Sequence, residues 1–526
     1  MVRVVLFLFF FLKSIFLSAQ GSIDDQINEK FENATGWFVD LIFAQIPITN
    51  EVGVPWVLVI LILGASYFTW YFRGINFTGF RTAIRIVQGK YDNLEVDGSL
   101  HVFDAINMKN GAKPEATKVT NHIGEVTHFQ ALTAALSATV GLGNIAGVAI
   151  ALSIGGAGAT FWMILVGFLG MASKFVECTL GVRYREIDED GRVFGGPMYY
   201  LTKGLKEKGL ERLGKILAII FAIMCIGGSF GGGNMFQVNQ AFQLFEYVTG
   251  AEDSFIHGKG WLFGLIMAIF VGIVIIGGIQ KIAKVTDKIV PAMVVLYVLA
   301  VITILVINYT RIPDAFIAIY NGAFAPEGIV GGFIGVLIQG FKRAAFSNEA
   351  GIGSASIAHA AVKTKYAASE GLVALLEPLI DTVVICTMTA LVLIITGQVE
   401  VGLPISDAQG VVLTSNALKS GISWFPYLLS FAVVLFAFSS MIAWSYYGYQ
   451  AWSFLFGRGK KTAYLYKTIF CIFVVIGSAA TLGSVTDFSD AMIFAMLVPN
   501  MIGLFLLLPK VKQELVKYKN AIKTRS

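Results

Sequence analysis

Apolar runs of about 20 residues recur along nearly the whole chain of 526 residues, and they limit the possible folds more than any other feature. A helix needs about 20 apolar residues to cross a bilayer, whereas a membrane β-barrel needs alternating segments of about ten. The chain is 56% hydrophobic and only 14% charged, against about a quarter charged in soluble domains. The sequence therefore predicts an all-α polytopic membrane protein. Its net charge of +5 reflects membrane topology and does not indicate a nucleic-acid partner.

Eleven membrane spans are predicted, and the charges of the connections support that number. Lys and Arg collect in alternate connections, as the positive-inside rule requires. The intervening connections carry only Lys259, Arg311 and Lys419. This alternation places the mature N-terminus outside and the C-terminus in the cytoplasm of a bacterial-type inner membrane. The predicted spans cover residues 53–72, 128–154, 157–183, 214–248, 261–283, 289–309, 329–360, 367–397, 422–456, 464–484 and 489–509.

The N-terminal region is set apart from these spans. Residues 1–20 combine a basic start at Arg3, an apolar stretch and small residues at Ser18 and Ala19, which is typical of a signal peptide. The alternative is a transmembrane helix interrupted by Lys13. Residues 21–52 are then an extracytoplasmic segment, and residues 53–127 are an extra transmembrane helix followed by an amphipathic cytoplasmic segment.

Two glycine-rich stretches interrupt apolar spans at corresponding places. Residues 137–145 read SATVGLGNI and residues 347–355 read SNEAGIGSA, with the shared pattern S-x-x-[VA]-G-[LI]-G-[NS]. The first lies in the second span and the second in the seventh, and a shift of five spans inverts the orientation. The pair therefore predicts an inverted repeat of residues 128–309 and 310–510, followed by a cytoplasmic tail at 511–526.

The chemistry of such breaks indicates a binding site. Glycines let a helix unwind, and the freed backbone groups must be satisfied within hydrocarbon. Half-helix N-termini favour a carboxylate, while freed carbonyls favour a cation such as Na⁺. Close helix packing is the alternative explanation of such glycines. A polar centre with broken helices also fits an ion channel, although secondary transport is the favoured class.

Other chemistry is not indicated by the sequence. The chain has no HExxH motif, no GxSxG motif at a plausible place and no P-loop, so it is predicted not to be an enzyme or an ATPase. The cysteines all lie in apolar runs and are interpreted as buried apolar residues, and no cofactor is predicted.

The sequence resembles the alanine or glycine:cation symporter family, the sodium:alanine symporters. The resemblance extends from about residue 53 to residue 510. It implies a LeuT-like fold of ten core helices with one extra N-terminal helix, and Na⁺-coupled uptake of a small neutral amino acid, alanine or glycine. Another neutral amino acid such as glutamine, or H⁺ coupling, stays open. The matching stretches are GLGNIAGVA, GGPMYYL, GNMFQVNQ, FSNEAGIGSASIAHAA, EPLIDTVVICTMTAL and FSSMIAWSYYGYQ.

The resemblance also implies which residues form the site. The Na⁺ site would lie between the backbone of Thr139 and Val140 and the hydroxyls of Ser439 and Ser440. The chain departs from the expected pattern at Leu142, where a threonine is usual, and this leaves the substrate preference open. The implied substrate contacts are Gly141, Asn144, Gln237, Phe346, Ser347, Gly351 and Trp444.

Two carboxylates in the eighth span are predicted to act as gating groups. Glu377 and Asp381 lie at i and i+4 and so share one face of the helix. A lone charge in a membrane is costly, so both are expected to pair with basic residues and to latch the cytoplasmic gate. A proton relay is the alternative role.

Overall fold

The computed structural model describes residues 23–47, 53–95, 124–189, 191–324, 332–399 and 410–524. Residues 1–20, interpreted above as a signal peptide, lie outside these ranges. Within them the chain is almost entirely helical, apart from two short antiparallel hairpins. The hairpins pair β1 (Gln45–Pro47) with β2 (Gly53–Pro55) and β3 (Glu186–Ile187) with β4 (Val193–Phe194).

The principal helices follow one another with short connections, and four π-helical segments interrupt them, at Gly143–Gly147, Tyr200–Gly204, Gly231–Met235 and Leu379–Cys386. The helices are α1 (Ile23–Ile42), α2 (Trp56–Tyr71), α3 (Phe80–Val87), α4 (His128–Thr139), α5 (Val148–Gly155), α6 (Ala159–Arg183), α7 (Glu211–Phe230), α8 (Phe236–Val248), α9 (Gly260–Ile275), α10 (Gly278–Ile307), α11 (Ile312–Phe324), α12 (Gly332–Asn348), α13 (Ala355–His359), α14 (Ala367–Ala374), α15 (Thr387–Thr396), α16 (Val411–Lys419), α17 (Phe425–Phe456), α18 (Lys460–Ala479) and α19 (Leu482–Lys523). Single helical turns lie at Ile75–Thr78, Asp92–Glu95, Pro197–Tyr199, Leu205–Glu207, Ala251–Asp253, Tyr309–Arg311 and Leu376–Pro378.

Seven helical segments among the described residues are long and apolar enough to cross a membrane. Two further candidates are bent pairs: α2 with the helical residues 75–87, bent by 60°, and α4 with residues 143–155, bent by 53°. The two other predicted spans do not qualify as single long helices. The fifth is the 16-residue α9, and the seventh is divided into α12 and α13.

Some predicted boundaries differ from the structure. The connection expected between residues 283 and 289 lies inside α10, because the chain turns earlier, at Ile276 and Gly277. The predicted extracytoplasmic segment contains α1, which packs along α19 and α18. The predicted amphipathic segment begins as helical turns that include α3, where Ala83 and Ile86 are buried.

Helices related by a shift of five spans pack against each other in the core. Helix α6 packs against α14, α8 against α17, and α9 against α18. The two broken spans also meet, because the Asn144 amide lies 3.1 Å from the Ser347 hydroxyl. This arrangement agrees with the predicted inverted repeat and places both breaks in the centre of the molecule.

Candidate functional site

The first break interrupts the second span at the predicted glycines. Helix α4 starts with a capping box between Thr127 and Gln130 and ends at Thr139, and the backbone of the next residue, Val140, is extended. The side-chain oxygen of Asn144 then accepts a hydrogen bond from the Gly141 amide over 2.9 Å. The break is therefore held open by a side chain from the next turn, and the last carbonyls of α4 are released from regular helix pairing.

A small cavity lies at this break. Its volume is about 10 Å³, which is the space of a single water-sized sphere. An amino acid would therefore need the cavity walls to move before it could bind. The lining residues are Ala138, Thr139, Gly143, Gly232, Gln237, Phe346, Glu349, Trp444 and Ile493.

Gln237 connects the first break to the π-helical segment before α8. Its side-chain oxygen accepts from the Leu142 amide over 3.3 Å, and its side-chain nitrogen donates to the Gly232 carbonyl over 2.9 Å. Gly141 lies against the same side chain, since a Cβ there would come within 3.2 Å of the Gln237 oxygen. Of the predicted substrate residues, Gln237, Phe346 and Trp444 line the cavity and Gly141 lies beside it.

The two serines of α17 differ in what their hydroxyls contact. The Ser440 hydroxyl donates to the Ser137 carbonyl in the last turn of α4, over 3.1 Å. The Ser439 hydroxyl donates to Phe436 in its own helix, over 3.0 Å. Adjacent residues of a regular helix point in different directions, so only Ser440 reaches the first break through its side chain.

Asn144 and Ser347 lie in a polar cluster and not among the residues that line the cavity. The Asn144 amide nitrogen donates to Asp381 Oδ1 over 2.7 Å, and the Ser347 hydroxyl donates to Asp381 Oδ2 over 2.7 Å. The Thr382 hydroxyl adds a third bond to this carboxylate, over 2.8 Å. Carboxylate, hydroxyl and amide oxygens suit hard cations, so this cluster also has the chemistry to hold Na⁺.

The prediction that Asp381 pairs with a basic residue is wrong. Among the described residues its carboxylate is satisfied by the neutral donors just named and forms no salt bridge with Lys, Arg or His. The π-helical segment at Leu379–Cys386 changes the helical register after Glu377. Asp381 then contacts both breaks, through Asn144 and Ser347. Hydrogen bonds from neutral groups can stabilise a buried carboxylate. The four-residue spacing of Glu377 and Asp381 does not show which kind of partner each carboxylate has.

Glu377 does have basic partners. Its carboxylate lies 2.9 Å from Lys174 Nζ on α6, and it also bonds His359 at the end of α13. All three side chains are fully buried. Through Glu377, α6 of the first repeat is joined to two parts of the second repeat, the turn Leu376–Pro378 and α13.

The second break brings Glu349 into the cavity, a residue not predicted to contact substrate. Glu349 has a φ of 55°, which is rare for a side chain with a Cβ. Its carboxylate accepts from the Trp444 indole over 3.1 Å and also from Ser354. The only signal in the sequence was an acidic residue inside a broken span.

Gly351, predicted as a substrate contact, lies elsewhere in this structure. Its φ is +85°, and a Cβ there would come within 2.4 Å of the Met501 methyl group. Its carbonyl accepts from Asn500 over 2.8 Å. The glycine is required by the left-handed backbone and by packing against α19, and it does not line the cavity.

Asp490 is a second charged residue that sequence reasoning missed. It forms an ion pair with Lys342 over 2.9 Å and another with Arg343. Ile493, one turn further along α19, lines the cavity. The pairs therefore link α12 to α19 beside the cavity. A basic pair before the second break was visible in the sequence, but its partner is 147 residues away.

Two broken helices that meet around a small polar cavity, within an inverted repeat, define a secondary transporter. The fold is also similar to the crystal structure of MhsT in complex with L-phenylalanine. The TM-score is 0.51 at 18% sequence identity, with 73% of this chain and 89% of that chain covered. This similarity confirms the predicted LeuT-like fold.

The chain belongs to the sodium:alanine symporter family, whose model matches residues 40–526. It is 41% identical to the sodium/alanine symporter AgcS of Methanococcus maripaludis over 385 residues, which are 73% of this chain and 82% of the relative. It is 34% identical to the probable sodium/glutamine symporter GlnT of Bacillus subtilis, with 73% of this chain and 76% of the relative covered. The predicted family is thereby confirmed.

Proposed function

We propose that this protein is a symporter that couples Na⁺ entry to the uptake of a small neutral amino acid, alanine or glycine, by alternating access. The observation that carries the proposal is the central cavity, at which the two breaks and α17 meet. Membership of the sodium:alanine symporter family supports Na⁺-coupled amino-acid symport.

The cavity walls favour a small substrate. Trp444, Phe346 and Ile493 supply bulky apolar surfaces, while Gly143 and Gly232 leave room only for small groups. The helical segment that starts at Gly143 presents its N-terminus to this region, and a helix N-terminus favours a carboxylate. The Glu349 carboxylate offers a partner for the ammonium group of the same zwitterion.

The proposed Na⁺ site lies between α4 and α17. The carbonyls of Thr139 and Val140 lie two and three residues after Ser137, whose carbonyl already accepts from Ser440. Ser440 is therefore the better candidate ligand of the two serines, since the Ser439 hydroxyl is bonded within its own helix. No resident cofactor is proposed, because Na⁺ enters as a transported ion.

The proposed setting is a bacterial-type inner membrane, with the mature N-terminus outside and the C-terminus in the cytoplasm. The alternating loop charges support this orientation, and a multi-span transporter family is consistent with the membrane. In this orientation α17 and α6 run inward, and Glu377 lies towards the cytoplasmic side of the second break.

Glu377 is proposed to latch the cytoplasmic gate through Lys174. The pair joins α6 to the turn Leu376–Pro378, and both charges are buried, so opening requires the ion pair to separate. Glu377→Gln should change the rate of alanine uptake. An unchanged rate with unchanged Na⁺ dependence would remove the latch from the proposal.

Uptake into proteoliposomes tests the function directly. Labelled L-alanine, D-alanine, glycine and glutamine are supplied with an inward Na⁺ gradient, and then with choline in place of Na⁺. Accumulation of alanine or glycine above the external concentration only with Na⁺ is expected. Uptake insensitive to Na⁺ contradicts the coupling, and flux without accumulation indicates a channel. Preferred accumulation of glutamine would shift the substrate towards that of the GlnT relative.

A further inference from the structure

Five buried side chains form a chain in which carboxylates alternate with imidazoles. Glu95 lies 2.6 Å from His128 Nε2, and His128 Nδ1 bonds Glu370. Glu370 lies 2.5 Å from His359 Nδ1, and His359 Nε2 bonds Glu377. Each imidazole therefore has a carboxylate on both ring nitrogens, although their sequence positions span residues 95–377.

This chain of five side chains runs from the cytoplasmic side of the membrane towards the second break. His128 opens α4 and Glu370 lies in the first turn of α14, which are the cytoplasmic ends of their spans in the proposed topology. Glu377 lies seven residues beyond Glu370, or about 10 Å deeper at 1.5 Å per residue. His128 is the most exposed member, with a side chain 8% accessible, and the side chains of Glu370, His359 and Glu377 are 0% accessible.

The deep end of the chain continues towards the cavity. Lys174 lies 2.9 Å from Glu377, and its charge also attracts Glu349, which lines the cavity. No group of the proposed Na⁺ site belongs to this path. The chain thus links the cytoplasmic end of the protein to the vicinity of the bound amino acid.

The charges of the surrounding groups balance when the carboxylates and the two imidazoles together hold three protons. Lys174 lies 3.9 Å from Glu177, and Arg185 attracts Glu370. Cys178 also lies against His359 and Glu377. The Glu95 carboxylate accepts hydrogen bonds from the hydroxyls of Tyr518, Thr364 and Ser369. Lys174 and Arg185 face five carboxylates, so three protons shared among these carboxylates and the two imidazoles make the group neutral; the carboxylates are Glu95, Glu177, Glu349, Glu370 and Glu377. Loss of one proton leaves an unmatched buried charge, so a proton leaving one end must be replaced at the other.

We propose that this Glu–His–Glu–His–Glu chain conducts protons between the cytoplasm and the second break, and that a proton moves along it during amino-acid transport. When His359 is neutral and carries its proton on Nδ1, a proton on Glu377 passes to His359 Nε2 as the Nδ1 proton passes to the Glu370 carboxylate. When His128 is neutral and carries its proton on Nε2, Glu370 passes its proton to His128 Nδ1 as the Nε2 proton passes to the Glu95 carboxylate, and each O–H or N–H bond breaks as the next one forms. Chains of Glu and His within membrane proteins are suited to such relays. This inference rests on the proposed amino-acid transport.

Proteoliposomes that contain a trapped pH indicator test the inference. The membrane potential is clamped at zero with K⁺ and valinomycin, so that passive proton leak does not follow the Na⁺ current. Na⁺ and labelled alanine are then added outside, and the lumenal pH and the alanine uptake are recorded together. The expected result is a pH change of either sign that follows alanine uptake at a fixed ratio.

His128→Gln should keep Na⁺-driven alanine uptake within threefold of the wild type and lower the ratio of protons to alanine at least fivefold. His359→Gln also removes a partner of the gating carboxylate Glu377, and it should lower the same ratio at least fivefold whatever its uptake rate. His257→Gln is the matched control, because His257 pairs with Glu246 on the exposed surface, outside the chain. A wild-type ratio of zero, or a ratio within twofold of the wild type in both chain variants, overturns the pathway. If His359→Gln does not fold, His128→Gln at the more exposed end decides the result. Absence of any alanine uptake in the wild type would instead overturn the proposed function, and the pathway with it.

Discussion

The Ser440 hydroxyl donates to the Ser137 carbonyl over 3.1 Å and joins the middle of α17 to the last turn of α4. The neighbouring Ser439 hydroxyl contacts only its own helix among the described residues. The contact spans 303 residues of sequence and crosses from the first repeat to the second. Substituting each of the two serines in turn therefore distinguishes a Na⁺ ligand from a serine that only packs within its own helix.

Ser440→Ala should raise the Na⁺ concentration needed for half-maximal alanine uptake by about tenfold or more, because the ion loses an oxygen ligand whose contribution is comparable to that of a hydrogen bond to a charged group, about 1.5–3 kcal/mol. Ser439→Ala is the matched control and should change it by less than about twofold. The measurement is initial uptake against Na⁺ concentration in proteoliposomes. Equal effects of the two substitutions would remove Ser440 from the Na⁺ site.

Gly141 is expected to tolerate no side chain. A Cβ at this position would lie 2.6 Å from the Ser440 hydroxyl oxygen and 3.2 Å from the Gln237 side-chain oxygen. Gly141→Ala should therefore displace both side chains and lower Na⁺-driven uptake at least tenfold. Gly147→Ala lies in the same broken span, but its Cβ meets nothing within 4 Å, and its uptake should stay within twofold. Comparable losses in both variants would show that any glycine substitution disables the break.

Leu142 departs from the residue expected in the family, and the structure changes what this departure implies. Its side chain is fully buried in the apolar core and is not among the residues that line the cavity. Leu142→Thr should therefore leave the preference between alanine and glycine within about twofold, and it should lower stability because a hydroxyl enters an apolar site. Competition between the two labelled substrates measures the preference. A reversed preference would show that Leu142 reaches the substrate in another conformation.

The sequence predicts much of the fold because its strongest signals are local. Apolar length and loop charge predict the spans, and glycines beside polar residues predict where two of them break. The partners of the buried charges are long-range, and no local pattern reveals them. Asp490 lies 147 residues from Arg343, and His128 lies 242 residues from Glu370. Asp381 shows the same limit, since a spacing of four residues suggested a shared role with Glu377 while packing gave it a different set of partners.

Lys174 should contribute far more to stability than a surface lysine in an ion pair. Its ammonium group lies 2.9 Å from Glu377, and both side chains are fully buried. Lys174→Ala leaves the Glu377 charge with only His359 as its basic partner, and breaking a buried pair costs about 3–5 kcal/mol. The thermal unfolding temperature in detergent should therefore fall markedly. Lys215→Ala removes an exposed pair with Glu211 at a similar distance of 2.9 Å, and the unfolding temperature should hardly change. A small effect of Lys174→Ala would mean that His359 alone compensates Glu377.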